Sequence, residues 1–227
     1  ITPSGPAFRD AKGASTFSYA FDAIELLNGK LFWEIHHYRV PRVLPKGALP
    51  ANVPPAGTIL LKAADGQPAF PGVVDDWFNL LNMGHRFVGV GTGDSHYGND
   101  EAGQFRSMVY VGDDRPGTLT DARIVEAFKS RRVVATNGPL VDFSVDGAVM
   151  GQTVASEDAK VDLSYSVRAA PWVKLGRLNV WRNGVIADSV EIDPERDLSA
   201  RPLREVVELP LAIDAAGQPI DSWFVLE

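Results

Sequence analysis

Four histidines, no cysteine and one Asp-x-His triplet bound the chemistry open to this chain. Asp94 and His96 stand two residues apart, directly after the run Arg86-Phe-Val-Gly-Val-Gly-Thr-Gly93. That run reads as a buried strand, and the C-terminal ends of such strands are where α/β proteins place their active sites. A carboxylate and an imidazole at this spacing can face one divalent ion, and their hard oxygen and borderline nitrogen donors suit zinc, manganese or iron. The competing reading is a loop aspartate that caps a turn beside a surface histidine. Glycines next to the pair admit a ligand or a second backbone at close range, which favours the metal-ligand reading. Without thiols the chain has no disulfide, no cysteine nucleophile and no cysteine-ligated metal.

The remaining candidates divide by position. His36 and His37 are neighbours between Glu34 and Tyr38. In an extended segment they point to opposite faces, so at most one could join Asp94 and His96 in a minimal mononuclear site. A solvated amphipathic segment is the plainer explanation. His85 follows Gly84 at a helix end, where a cation favours the dipole. Glu25 and Asn28 close the first strand and could line the same pocket as substrate-binding residues, although Asn28 equally suits a turn. Arg106 is the basic residue near the pair in sequence, either a clamp for an anionic group or half of a surface salt bridge. Trp77 reads as core. Phosphate-binding glycine loops, a Gly-x-Ser-x-Gly elbow and His-Glu-x-x-His are all absent from the sequence, so serine chemistry has no motif.

These side chains must be positioned by two kinds of structure. Phe21 to Leu27 is a short apolar run closed by Asn28-Gly29, the pattern of a strand buried on both faces in a parallel sheet. Residues 46–72 carry prolines 50, 54, 55, 68 and 71 and four glycines, the composition of a loop insertion with a brief strand at Thr58 to Lys62. A short helix follows over Asp75 to Met83, with Gly84 in the C′ position. Strands at 86–93 and 105–111 precede a helix that Thr120 caps and that runs to about Arg131. Alternating strands and helices are α/β grammar. After Asn137-Gly138-Pro139, six segments alternate polar and apolar residues at period two, separated by turns such as Asp146-Gly147 and Asn183-Gly184. The expectation is an α/β unit over 1–139 and an antiparallel β-sandwich over 140–227.

At 227 residues the chain is long enough for one large domain or two modest ones with a real core. A formal charge of −7 lacks the basic excess that nucleic-acid binding needs. No apolar run approaches the roughly 20 residues of a membrane-spanning helix. The expected partner is a small-molecule substrate, with neither nucleic acid nor membrane.

Several spaced motifs, in order over about residues 20–150, resemble the PHP (polymerase and histidinol phosphatase) metallohydrolases, closest to the carbaryl-hydrolase-like CehA/McbA branch. They are Phe21-Asp-Ala-Ile-Glu-Leu-Leu-Asn-Gly, Trp77 to Gly84, Gly91-Thr-Gly-Asp-Ser-His, Phe105-Arg106, and Arg132-Val-Val-Ala-Thr-Asn-Gly-Pro. The resemblance implies a distorted (β/α)7 barrel with a two- or three-metal cluster, whose bound hydroxide attacks a phosphoester, ester or carbamate. Asp94 and His96 match the family's last metal-binding motif, Arg106 a substrate-facing basic position, and Glu25 and Asn28 the strand beside the site. The trailing β-rich segment is similar to that family's accessory sheet domain. The opening His-x-His motif, the acid after it, and the middle histidines and acid have no counterpart. The chain is therefore expected to be the C-terminal portion of such a barrel, weakly active alone, its open sheet edges paired by an N-terminal segment or a second copy. Members of the family are often exported, and the compartment of this chain stays open between the periplasm, the exterior and elsewhere. From a different class, the alternative is a non-catalytic binding or assembly module in which the sandwich recognises a carbohydrate or protein.

Overall fold

The computed structural model describes residues 18–28, 73–96, 103–113 and 115–227. His36, His37 and the expected insertion at 46–72 lie outside the described residues. Within those described, strands far outnumber helices and fall into four small sheets. β1 (Ala23–Asn28) pairs in parallel with β2 (Val88–Thr92), and α1 (Val73–Asn82) lies between them in sequence. β3 (Arg106–Val109) and β4 (Val133–Thr136) form an antiparallel pair with α2 (Asp121–Lys129) between them in sequence. The strands β5 (Leu140–Val145), β6 (Ala148–Val149), β7 (Lys160–Arg168), β8 (Arg177–Arg182), β9 (Val185–Glu191), β10 (Leu203–Pro210) and β11 (Phe224–Leu226) build two antiparallel sheets. Their orders are β10-β7-β5-β6 and β11-β8-β9.

The described residues contain no (β/α)7 barrel, and the expectation of a partial barrel of that type is corrected here. The strand-helix-strand order over 105–136 reads as a parallel crossover, which must return the chain to the starting line of the first strand. Instead the chain enters β4 at the end of the sheet where it left β3, so that Val109 pairs with Val133 and Arg106 with Thr136. Arg131, at φ 60, makes the turn into β4, and Tyr110 N–H donates to the Arg132 carbonyl at 2.9 Å to extend the antiparallel ladder. Among the described residues, parallel pairing is confined to β1 and β2.

Ser107 joins the two small sheets. Its Oγ accepts from Gly91 N–H at 3.1 Å and donates to the Gly91 carbonyl at 2.9 Å. A Cβ on Gly91 would stand 2.9 Å from the Arg106 carbonyl oxygen, so only glycine permits that approach.

Alternation at period two decides the packing of the larger sheets. Along β7, Val161, Leu163, Tyr165 and Val167 are buried while Asp162 and Arg168 are exposed. They share one apolar cluster with Leu178 and Val180 of β8 and with Leu203 and Leu209 of β10. Each such aliphatic side chain contributes about 1.5–3 kcal/mol on burial.

Helix α1 ties the parallel pair to these sheets. Phe78, 1% exposed, lies among Trp77, Trp181 and Trp223 with ring centroids 5.6, 5.4 and 5.0 Å away. Trp77 Nε1 donates to the Phe87 carbonyl at 2.9 Å on one side, and Trp223 Nε1 donates to Asn82 Oδ1 at 2.8 Å on the other. The helix closes with Gly84 at φ 86, where Gly84 N–H and His85 N–H donate to the Leu81 and Leu80 carbonyls, both at 2.9 Å. That double bond is the Schellman stop.

Gly151, at φ 82, sits where a Cβ would stand 1.8 Å from the Ser130 carbonyl oxygen, and its own carbonyl accepts from Arg86 Nη2 at 2.9 Å. Gly151→Ala is expected to destabilise the chain by at least about 2 kcal/mol, because a left-handed residue with a Cβ and a backbone collision add. A lower urea midpoint at unchanged slope checks this.

Candidate functional site

β1 carries Glu25 and Asn28, and Asp94 and His96 follow the carboxyl end of its parallel partner β2. Asn28 pairs with Thr92 in the parallel register, and between Glu25 and Leu27 the register slips by one residue. Residues three apart on a regular strand point to opposite faces. The slip re-aims them, and Asn28 Nδ2 donates to Glu25 Oε1 at 3.2 Å. Thr92 Oγ1 donates to the same oxygen. The Glu25 carboxylate thus braces β1 against β2, with Asn28 buried beneath it.

Two residues beyond Thr92 the backbone of Asp94 turns left-handed, at φ 46. Such a conformation costs an L-residue about 1–2 kcal/mol, and Asp is among the few residue types that visit it readily. Here it brings His96 back onto Asp94. His96 Nδ1 stands 2.7 Å from the Asp94 carbonyl oxygen and 3.0 Å from Asp94 Oδ1. Both oxygens only accept, so Nδ1 carries the hydrogen and donates to them. A neutral imidazole in that tautomer presents its lone pair at Nε2. The Asp94 side chain is 26% exposed and that of His96 56%, so the carboxylate is the more buried of the two.

Arg106 opens β3, next to β2. Its main chain is what meets β2, at Gly91, and its side chain is exposed at the start of β3. His85 stacks between Tyr19, at 4.1 Å, and Phe87, at 5.6 Å between ring centroids. Thr92 and Ser107 are positioning residues that motif reading passed over; the signal for Thr92 was its place between two glycines at a strand end.

The donor types of Asp94 and His96 match zinc, manganese or iron, but a stable site takes three or four protein donors. Among the described residues no group of three or more His, Asp or Glu side chains is arranged to hold a metal ion. With Nδ1 committed to Asp94, a ligand or proton-accepting role falls to Nε2, and Asp94 then orients the ring from behind.

Comparison of the chain with protein-family models, with curated proteins and with solved structures finds no match in any of the three.

Proposed function

We propose that the chain carries a hydrolytic centre for phosphoester, ester or carbamate bonds, with His96 as the group that activates water. The observation that supports this reading is the Asp94–His96 pair, held in a left-handed turn at the carboxyl end of a parallel strand with Nδ1–H directed at Asp94. Strained backbone kept at a strand end beside an oriented imidazole is the arrangement general-base chemistry uses.

The step runs through the chain's own residues. A water hydrogen-bonded to Nε2 gives that nitrogen its proton as its oxygen attacks the carbonyl carbon or the phosphorus. The imidazolium so formed returns the proton to the departing oxygen or nitrogen. Asp94 holds the ring and offsets the imidazolium charge, and the Glu25–Thr92–Asn28 brace fixes the strand ends that carry the pair. Were a divalent ion held through Nε2, His96 would be its ligand and not the base, and the ion would supply the activated water.

Turnover of p-nitrophenyl phosphate, p-nitrophenyl acetate and an aryl N-methylcarbamate by the full chain, with and without added Zn2+ or Mn2+, tests the reading. Cleavage of at least one substrate above the buffer rate is expected. Silence toward all three would overturn it.

A further inference from the structure

A cleft of ≈ 230 Å³ opens at the other end of the β1–β2 pair, beside the residues that lead into both strands. One wall is aromatic. Phe21 and Phe87 stack at 4.0 Å, and His85 continues the ladder over Phe87. The rest is basic: Arg86, Lys129 and Arg131 line the cleft together with one carboxylate, Asp22. Three cations less one anion leave a formal +2 on a chain whose net charge is −7.

The cations are fixed from behind. Arg131 Nε donates to the Arg86 carbonyl and its Nη1 to the Lys129 carbonyl at 3.2 Å, while Arg86 Nη2 donates to the Gly151 carbonyl at 2.9 Å. A guanidinium carries five N–H donors, so each retains donors beyond these bonds. Burial first, and then the charge of Arg86, hold the Arg131 guanidinium below its ordinary pKa against the pull of Asp22. The positive charge in the cleft is under-compensated.

We infer that this cleft binds a phosphate monoester of a small planar group. Its dianion, at about −1.5 to −2 near neutral pH, matches the formal +2, and paired guanidiniums fit phosphate oxygens in fork geometry. Phe21, exposed and backed by the buried ring of Phe87, offers the planar remainder an apolar face. The volume admits about one ring with its phosphate, being below the roughly 300 Å³ at which pockets for drug-sized ligands begin. The inference stands apart from the hydrolytic reading, since no residue is shared between the two sites.

Isothermal titration with phenylphosphonate, which has no ester bond to cleave, tests it on the full chain at low salt. Saturable one-to-one binding is expected, weakened about tenfold or more in Lys129→Gln and in Arg86→Gln, each of which removes a charged hydrogen bond. Lys129 is exposed, so its replacement leaves the fold in place. Benzyl alcohol, with the ring and no charge, is expected to give no saturable heat. Absent binding, or equal affinity in both glutamine variants and the parent, would overturn the inference.

Discussion

His96→Ala is expected to lower turnover of the cleaved substrate by about two to four orders of magnitude, the usual contribution of a positioned general base. The loss should fall on kcat with KM little changed, because Nε2 meets the attacking water and not the body of the substrate. Asp94→Ala is expected to lower kcat by a smaller factor. The substitution removes the carboxylate that accepts from Nδ1–H at 3.0 Å, keeps the main-chain carbonyl that accepts at 2.7 Å, and changes the residue that carries the left-handed turn. Steady-state kinetics on the two variants, with circular dichroism to confirm the fold, check both expectations. Equal turnover in His96→Ala and the parent would remove His96 from the chemistry.

The second large effect is structural. Phe78→Ala is expected to destabilise the chain by about 3–5 kcal/mol, the range for deleting a fully buried aromatic ring. Whole domains are stable by only about 5–15 kcal/mol, so this is a large fraction of the total. Phe78 is in contact with Trp181 and Trp223 of the larger sheets as well as its own neighbour Trp77, and its loss opens a cavity where α1 docks. Guanidinium denaturation followed by tryptophan fluorescence reads the effect, because those three indoles surround the cavity. A shift in stability of less than about 1 kcal/mol would mean that the helix can collapse into the space.

Local patterns in the sequence carried far where a single element decides the outcome. Alternation along 160–168 appears residue by residue in the burial of β7, since the pleat puts every second side chain on one face. Gly84 appears at the stop of α1 with positive φ, and Thr120 caps α2 by accepting from Arg123 N–H, because each needs only its own few neighbours. The topology was not legible in the same way. Strand, helix and strand over 105–136 have the spacing of a crossover, and nothing within either strand distinguishes parallel from antiparallel pairing. In the fold, the left-handed turn at Arg131 brings the chain into β4 antiparallel to β3.

The candidate site shows the same division. Asp94 and His96 were visible as a pair, but which nitrogen faces the carboxylate depends on one backbone dihedral that no motif encodes. Glu25 and Asn28 were visible as strand-end polar residues, whereas their meeting on one oxygen depends on a one-residue slip against β2. Arg106 was assigned by closeness in sequence to Asp94, and the close contact turns out to be through its main chain at Gly91.

The most direct test of His96 as the reacting group is its tautomer, read from nitrogen-15 chemical shifts and long-range proton couplings of the imidazole. Four histidines in the chain make the assignment tractable by single substitution. The expected result is a protonated Nδ1 and a lone pair at Nε2, with added Zn2+ or a bound substrate analogue shifting Nε2 alone. A hydrogen on Nε2, or a response confined to Nδ1, would contradict it.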